Sequence, residues 1–407
     1  MKNGRSSPVY SLYCRSYQFA YKTVAQFLPW RHPLLVEGEN SLEELPALFQ
    51  RQSIGNVLIV TDAGISQLGL MDSLLEGFTR FGIQYVVYDK TVPNPTIDNI
   101  EEALTLYKSS GCEGIIAFGG GSPMDCAKGV AARAAQPGKT LAQMKGQLKV
   151  RKAIPPLFAI PTTAGTGSET TIVSVVSNSE THEKYAINDP VLTPHFAIMD
   201  PQLTVNLPKH ITSTTGMDAL THAVEAYIGR SNTRQTKQWS QEATKLIFEN
   251  LYEVYHNGKN IKARANMQRA SFLAGRAFTR AYVGYIHAIA HTLGGFYNVP
   301  HGLANAVIMP HVLEYYGDAV HKPLAELADI AGITDPSDSE EVKCKKFIEA
   351  LKQMNKQMDI PETITGILTS DIPLMVERAY KEANPLYPVP RILNKNDLET
   401  LYILIKE

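Results

Sequence analysis

Several features that define other protein classes are scarce in this chain of 407 residues. Its four cysteines lie far apart and form no CxxC pair, which argues against a disulfide framework and favours a reducing, cytoplasmic compartment. A net charge of only −1 gives no electrostatic reason to expect a nucleic-acid partner. No apolar run has the length that a membrane span needs. The composition is therefore that of an ordinary globular protein, and the length predicts two or three domains.

Acidic residues are missing from the first 36 positions, which hold five basic residues and many aromatic ones. An Arg-containing, acid-poor start is typical of a transit peptide. The alternative is a basic, aromatic helix over about residues 11–28 that packs on the body of the protein or on a second subunit. We favour the helix and treat residues 1–32 as an N-terminal extension. A membrane-surface role for it has no further support in the sequence.

Short apolar runs alternate with helix-like stretches from about residue 33 onward. In the stretch 95–109, for example, apolar residues recur at helical spacing. Strands that alternate with helices of this length indicate parallel pairing and right-handed crossovers. We therefore predict an α/β nucleotide-binding domain over residues 33–207, with a parallel, Rossmann-like sheet. The predicted strands are 57–60, 85–88, 114–118 and 157–160.

Strand-like runs become rare after about residue 208, and long helical patterns replace them. Asp-Pro and Leu-Pro pairs between residues 200 and 209 interrupt the regular pattern, which suggests a domain boundary there. We predict an all-helical domain over residues 208–407. Its clearest helices are 235–255, 262–278 and 343–358.

The sequence lacks the GxGxxG fingerprint, but a different glycine-rich segment, GGGSPMD, occupies residues 119–125. It follows the third predicted strand and precedes a predicted helix, Cys126 to Ala135. Ser122 is a good N-cap and Pro123 suits the first helical position, while Asp125 stands where a capping-box acid would reach back. The free N–H groups of such a helix start form an anion site, as a dinucleotide phosphate requires. The alternative is an ordinary glycine-rich turn.

Two further segments suit a dinucleotide. Asp62 follows the first strand of the sheet, where a carboxylate can accept hydrogen bonds from both ribose hydroxyls and repel a 2′-phosphate. This favours NAD over NADP, although Asp after a strand is also a common turn residue. Residues 161–169, PTTAGTGSE, follow another strand and offer hydroxyls and glycines for wrapping a cofactor. A solvated loop is the alternative for this segment.

Histidines and one aspartate cluster at helical spacing in the second half of the chain. Asp218 and His222 stand four residues apart, as do His287 and His291, and His301 follows. Residues four apart share one face of a helix. Imidazole and carboxylate ligands suit ferrous iron or zinc, so Asp218, His222, His287 and His301 are the predicted ligands. This assignment leaves His291 for catalysis, whereas the alternative is a chance collection of histidines.

These segments together resemble the iron-dependent, group III alcohol dehydrogenase family. The similarity covers roughly residues 33–407 and includes Asp62 after its strand. The matching motifs are GGGSPMD at 119–125, PTTAGTGSE at 161–169, VPNP at 92–95, GMDALTHAVEAY at 216–227 and HAIAHTLGGFYNVPHGLANAVIMPH at 287–311.

The resemblance implies a nucleotide-binding α/β domain, a helical metal-binding domain and a cleft between them. It implies iron ligands at Asp218, His222, His287 and His301, proton transfer by His291, and a homodimer or larger homo-oligomer. The positions that it implies for cofactor contacts are Asp62, Asn94, Gly120, Gly121, Ser122, Thr162, Thr163, Thr166 and Lys184.

Three segments depart from the family pattern, namely the N-terminal extension, residues 278–286 and residues 383–390. Counted at helical spacing on the helix that carries His287, Phe278 and Tyr282 lie near the ligand face. We therefore predict that these two rings narrow the substrate pocket. Arg280 is either a charged partner for a substrate or a surface or subunit-contact residue.

We interpret the chain as an NAD-dependent, iron-containing alcohol dehydrogenase or aldehyde reductase, with zinc as an alternative metal and a small alcohol or aldehyde as substrate. The main alternative is a metal- and NAD-dependent lyase of the dehydroquinate synthase type. Such a lyase needs a cluster of basic residues for its substrate, which the sequence around the histidines lacks. A hydrolase of the HExxH type is a third interpretation, but Ala288 stands where its general base would be.

Overall fold

The computed structural model describes residues 7–179 and 184–407. The first six residues of the predicted extension, with Lys2 and Arg5, lie outside the described residues. The chain divides into two compact units. One comprises Pro29–Asn206, and the other combines the N-terminal segment to Leu28 with Leu207–Glu407.

The N-terminal segment contains helix α1 (Pro8–Ala25). It begins at a proline, which suits the first turn of a helix because the N–H group that proline lacks has no intrahelical partner there. The prediction of a helix in this region is therefore confirmed, with both ends about three residues earlier than expected.

The α/β unit is built on a six-stranded sheet whose strand pairs are all parallel. Four of these strands were predicted from the sequence. The other two are the strand at one edge of the sheet and the strand that pairs with it. The elements of this sheet and its crossovers are β1 (Leu34–Glu37), α2 (Leu45–Arg51), β2 (Asn56–Val60), α3 (Ala63–Gln67), α4 (Asp72–Phe81), β3 (Gln84–Tyr88), α5 (Ile97–Ser109), β4 (Gly114–Gly119), α6 (Gly121–Ala135) and α7 (Leu141–Met144).

The remainder of this unit completes the large sheet and forms a small sheet of three strands. The elements are β5 (Gly146–Gln147), β6 (Leu157–Pro161), β7 (Val173–Ser177), β8 (Lys184–Asn188) and β9 (Phe196–Met199). The large sheet has the order β1-β9-β6-β4-β2-β3, and a small second sheet has the order β5-β8-β7.

Burial explains why the central strands are apolar along their whole length. All six residues of β4 and all five of β6 are buried, as expected for a parallel sheet covered by helices on both faces. One core cluster lies on each face of the sheet. Strand β3 lies on one side of β2 and β4 lies on the other, so the strand order reverses at β2. The carboxyl ends of strands at such a reversal are where α/β sheets bind ligands.

The second unit is helical, as predicted. After α1 it contains α8 (Lys209–Ile228), α9 (Arg234–His256), α10 (Ile261–Ala281), α11 (Tyr285–Tyr297), α12 (His301–Tyr316), α13 (His321–Ile330), α14 (Glu340–Gln357), α15 (Ile372–Ala383) and α16 (Lys395–Ile405). Within the described ranges, none of the helices combines the length and the apolarity that crossing a membrane requires.

Helix α8 forms the centre of this unit and packs against α9, α10 and α12. Every residue from Gly216 to Ile228 is buried. Gly302 permits the close approach of α12, because a side chain there would collide with the backbone carbonyl of Thr214 in α8. This contact brings the first turn of α12 beside Asp218.

Two local predictions are wrong. Helix α6 begins at Gly121, not at Cys126, and Gly120 is its N-cap, so Ser122 lies inside the first turn and does not cap the helix. Glycine restricts the backbone least, so Gly120 and Gly121 can form the start of the helix. The predicted single helix through Phe278 and His287 is broken at residues 282–284. Tyr282 has φ +66°, a left-handed backbone that ends α10.

Candidate metal and cofactor sites

Four side chains that the sequence analysis named as metal ligands converge in the helical unit. The atoms that Asp218, His222, His287 and His301 offer as ligands all lie within 4.8 Å of one another. Three of these side chains are buried, and His301 is partly exposed. His301 is the first residue of helix α12.

The geometry of this cluster suits a single divalent ion. Iron or zinc bonds of about 2.0–2.2 Å allow ligand atoms around one ion to lie up to roughly 4 Å apart, so the observed spacing needs only a small contraction. The amide nitrogen of Asn305 now lies among these atoms, 2.7 Å from Asp218 Oδ1 and 3.1 Å from His301 Nε2. A positively polarised N–H group at this point indicates that the surrounding lone pairs favour a cation.

A carboxylate that the sequence analysis missed supports His287. Oxygen Oε2 of Glu225 lies 2.6 Å from His287 Nδ1. Its two oxygens also accept hydrogen bonds from the backbone N–H groups of Gly284, at 2.8 Å, and Ile286, at 2.9 Å. With Nδ1 engaged by Glu225, the lone pair of Nε2 is directed at the cluster. Such carboxylate–histidine pairs orient metal ligands in proteins.

Protonation in this pocket follows from burial. Burial lowers the pKa of His287 well below its ordinary value, and the nearby His222, His301 and His291 lower it further. His287 is therefore neutral near pH 7, the form that binds a metal. Burial raises the pKa of Glu225 to about 8, against the opposing effect of its N–H donors. Glu225 therefore holds a proton more readily than an exposed carboxyl group does.

His291 lies beside the cluster without belonging to it. Its ring stacks on that of His301, with centroids 5.2 Å apart, and its Nδ1 lies 2.7 Å from Oε1 of Glu382. Tyr387 donates to the same carboxylate oxygen at 2.9 Å. His291 is thus held by a carboxylate from helix α15, and its partly exposed side chain lies at the margin of the site.

The structure contradicts part of the predicted pocket wall. Phe278 lies on α10, where its ring stacks on His222 with centroids 4.2 Å apart, so it contacts a predicted ligand directly. Tyr282 instead packs edge-to-face against Tyr21 of α1, with centroids 5.6 Å apart. Arg280 donates to Gln235. It also lies over the ring of Trp239. Arg280 therefore contacts helix α9, which agrees with the alternative prediction of a surface residue.

The predicted cofactor residues follow neighbouring strands of the large sheet. Asp62 follows β2, Asn94 follows β3, Gly120 follows β4 and Thr162 follows β6, so all lie at the carboxyl edge. Asp62 also accepts a hydrogen bond from the N–H of Ile65 at 2.9 Å and thereby caps α3.

Contacts among these residues form one continuous surface. The Lys184 ammonium donates to Asn94 Oδ1 at 2.7 Å, and the Asn94 N–H donates to Ser122 Oγ at 3.3 Å. A Cβ at Gly120 would lie 3.5 Å from the side chain of Thr163. Gly120 thus lies beside the 161–169 loop.

At the next position, a Cβ at Gly121 would lie 3.1 Å from Thr166, which is a tight contact. The N–H of Thr162 donates to the carbonyl of Gly119 at 3.1 Å. These two contacts join the 161–169 loop to the start of α6. The predicted capping role of Asp125 is wrong, since Gly120 is the N-cap of α6 and Asp125 lies beyond the first turn of the helix.

A buried lysine that the sequence analysis did not single out holds the cofactor loop. The ammonium of Lys128, on α6, is fully buried and donates to the carbonyls of Ser168 at 2.7 Å, Thr171 at 3.0 Å and Val173 at 3.0 Å. It also donates to the hydroxyls of Ser168 and Thr171. This lysine therefore fixes the end of the 161–169 loop to the helix that begins at the glycine segment.

Comparison with known proteins gives consistent assignments along the chain. Residues 33–201 match the family model of iron-containing alcohol dehydrogenases, and residues 212–404 match the C-terminal model of the same family. Alcohol dehydrogenase 4 of Saccharomyces cerevisiae is 39% identical over 355 residues, which are 86% of this chain and 91% of the yeast protein. The 1,3-propanediol dehydrogenase of Klebsiella pneumoniae is 37% identical over 369 residues, 90% of this chain and 95% of its own.

Solved structures agree with these sequence matches. A 1,3-propanediol oxidoreductase superposes with a TM-score of 0.89 at 34% identity, covering 93% of this chain and 99% of its own. An alcohol dehydrogenase from Oenococcus oeni gives a TM-score of 0.89 at 35% identity, with 93% of this chain and 100% of its own covered. Helix α1 lies outside both ranges that the family models match.

Proposed function

This chain belongs to the iron-containing alcohol dehydrogenase family and is an oxidoreductase acting on CH–OH groups, and we propose that it transfers a hydride between a small alcohol or aldehyde and NAD. One observation carries the proposal: Asp218, His222, His287 and His301 present their ligand atoms within 4.8 Å of one another. Iron is the proposed metal, and the ligand set would also accept zinc.

Each residue of the metal site has a proposed task. The four side chains would hold the ion, and Glu225 keeps His287 oriented toward it. A bound divalent ion supplies Lewis-acid polarisation of a hydroxyl or carbonyl oxygen. His291, supported by Glu382, moves the proton between substrate and solvent.

NAD is the proposed cofactor because of the residues at the carboxyl edge of the sheet. Asp62 would accept hydrogen bonds from the ribose hydroxyls and disfavour a 2′-phosphate. The N-terminus of α6 offers its free N–H groups to the pyrophosphate, and the proposed cofactor residues surround it. The Lys184 ammonium, which donates to Asn94 Oδ1, is proposed to bind a phosphate group of the cofactor.

The proposed substrates are small and uncharged at the reacting end. The relatives include enzymes named for propanediol, methanol and lactaldehyde. Arg280, the sequence's alternative partner for a charged substrate group, contacts Gln235 and Trp239 instead. The dehydroquinate synthase alternative has no support among these relatives.

Assembly and location complete the proposal. We propose a homodimer or larger homo-oligomer, as the resemblance to the iron-dependent alcohol dehydrogenase family implies. The four cysteines are free and buried, which supports a reducing, cytoplasmic compartment.

A substrate panel tests the proposed reaction. Protein of known metal content is mixed with NAD and short alcohols or diols, or with NADH and the corresponding aldehydes, and NADH absorbance is followed. We expect turnover with at least one small alcohol–aldehyde pair, and its loss in Asp218→Asn. Metal-loaded protein that is inactive across the panel would contradict the proposal.

A further inference from the structure

Helix α1 directs Arg15, Gln18 and Lys22 toward other segments of its own chain. The guanidinium of Arg15 donates to the carbonyl oxygens of Val389, at 2.7 Å, and Pro390, at 2.9 Å. The amide of Gln18 donates to the carbonyl of Tyr387 at 2.8 Å. These bonds fasten α1 to the segment that follows α15. The polar face of this helix is therefore already in use.

Lys22 completes the inward face. Its ammonium donates to the carbonyls of Arg230, at 3.2 Å, and Asn232, at 3.1 Å, in the turn after α8. Arg15 and Lys22 are the only charged residues between Pro8 and Ala25. Both cations of the helix thus bind backbone oxygens of their own chain.

The outward face is apolar. No exposed residue of α1 carries a charge. Of the seventeen large apolar side chains that are exposed among the described residues, seven lie between residues 9 and 27. Six are on the helix and Phe27 follows it, 83% exposed. The six are Val9, Leu12, Tyr13, Tyr17, Phe19 and Val24.

Helical geometry places these six side chains on one face. At 100° per residue they fall within an arc of about 160°, opposite the arc that holds Cys14 and Gln18. Four of the seven side chains are Tyr or Phe, each with about 150–250 Å² of surface, and together with Val9, Leu12 and Val24 they expose on the order of 800 Å² of largely apolar surface. A monomer rarely exposes a contiguous apolar patch of that size. It does match what one partner contributes to a stable protein interface.

The charges of α1 argue for a second copy of the chain as the occupant. A helix that binds a membrane surface usually keeps Lys and Arg free at its polar face for anionic lipids, whereas Arg15 and Lys22 are bound to carbonyl oxygens. A partner recognised by charge would need charged residues on the exposed face. An uncharged face can meet its own copy without like-charge repulsion.

The shape of the face also suits pairing with itself. Ser16 and Ala20 are exposed, four residues apart, along the middle of the apolar arc. Leu12 and Phe19 flank this row on one side, and tyrosines flank it on the other. Small residues between large ones form a groove into which the ridge of a crossing helix packs. Under two-fold symmetry each copy supplies both the groove and the ridge.

We propose that the apolar face of α1 packs against α1 of a second copy of this chain, in an isologous contact centred near Ser16 and Ala20. This names a surface for the proposed homo-oligomer and does not depend on the proposed reaction. Within each copy, α1 also holds residues 387–390 of the same chain.

Oligomeric state provides the first test. The full chain, the double variant Leu12→Glu with Phe19→Glu, and the matched control Val342→Glu with Leu374→Glu are compared by sedimentation velocity. All four positions are exposed. We expect the α1 variant to form an assembly of half the size of the wild-type assembly. If it still associates, its dissociation constant should be at least tenfold higher. The control variant should behave as the wild type.

Cross-linking provides a second test, which does not depend on whether the charged variant folds. The four native cysteines are buried, so an introduced surface cysteine is the accessible thiol. Ala20→Cys should give a covalent dimer on mild oxidation, whereas Thr105→Cys, on the exposed face of α5, should not. Equal cross-linking by the two variants would overturn the proposal.

The remaining outcomes separate this inference from the proposed function. An assembly of the same size in the wild type and the α1 variant overturns the α1 contact alone. A monomeric wild type overturns the homo-oligomer as well, while hydride transfer is measured independently. Binding to phosphatidylcholine–phosphatidylserine vesicles that the α1 variant loses, with no change in assembly size, would assign the face to a membrane surface instead.

Discussion

Oxygen Oε2 of Glu225 lies 2.6 Å from Nδ1 of His287, and both side chains are buried. The two residues come from different helices, α8 and α11. The carboxylate leaves one ring nitrogen, Nε2, to face the cluster of Asp218, His222 and His301. The orientation of one predicted ligand therefore depends on a residue that is not itself a ligand.

Replacing the carboxyl group of Glu225 should weaken metal binding. In Glu225→Gln the side-chain amide cannot accept from all of the N–H groups of Gly284, Ile286 and His287, so the His287 ring loses its fixed orientation. We expect metal affinity to fall about 10–100-fold, the usual effect of losing such a partner. Competition with a chelator measures it. The control is Glu349→Gln on the exposed face of α14, and unchanged affinity in Glu225→Gln would contradict the role of Glu225.

Removing a ligand should have a larger effect. His301→Ala deletes one proposed ligand at the start of α12, where the side chain is partly exposed and its loss leaves a small cavity. We expect the purified variant to lose its metal and its turnover while circular dichroism shows an unchanged fold. Metal content is measured by elemental analysis. Near-normal metal content and activity would show that the four-ligand assignment is wrong.

His291 should differ from the ligands. It lies beside His301 and is held by Glu382, so we expect His291→Ala to retain the metal. The rate should fall roughly 10²–10⁴-fold, which is the usual contribution of general acid–base catalysis. The measurements are kcat and metal content on the same sample. If the variant loses its metal, His291 is a ligand and not a proton carrier.

Asp62 should determine the choice of cofactor. Asp62→Gly removes the carboxylate that would repel a 2′-phosphate, and we expect preference to move from NAD toward NADP. Because Asp62 also caps α3, the variant Asp62→Asn serves as the matched control, since asparagine retains the cap without the charge. The ratio of kcat/KM for the two cofactors is measured in each protein. A wild-type enzyme that already prefers NADP would rule out this role.

Lys128 should stabilise the cofactor loop. Lys128→Met keeps the aliphatic stem but leaves the carbonyls of Ser168, Thr171 and Val173 without this donor. Each buried group left unpaired costs about 1–3 kcal/mol. We expect a lower free energy of unfolding in urea and weaker NAD binding, whereas the exposed control Lys152→Met should change neither. Full stability in Lys128→Met would show that the loop is held by other contacts.

The sequence predicted those parts of the molecule that depend on local pattern. Strands β2, β3, β4 and β6 are continuous apolar runs because they are buried on both faces. Asp218 and His222 share a helical face by spacing alone. Strands β1 and β9, of four residues each, were missed because short runs at or near a sheet edge carry little pattern.

Other features depend on backbone conformation or on contacts between distant segments. Nothing in the sequence shows that Tyr282 adopts φ +66°, so a single helix was predicted where two occur. Glu382 reaches His291 across 91 positions of the chain, and no local pattern connects them. Glu225, in contrast, follows Asp218 by seven residues, two helical turns. That spacing was a usable signal for Glu225.

Isotope labelling shows directly whether a hydride passes from the alcohol to NAD. Iron-loaded protein is given NAD and a small alcohol deuterated at the carbinol carbon, and the NADH formed is analysed by mass spectrometry. We expect one deuterium in each NADH molecule, and no NADH from the Asp218→Asn variant. NADH without deuterium, or no NADH from any small alcohol with fully metal-loaded protein, would contradict it.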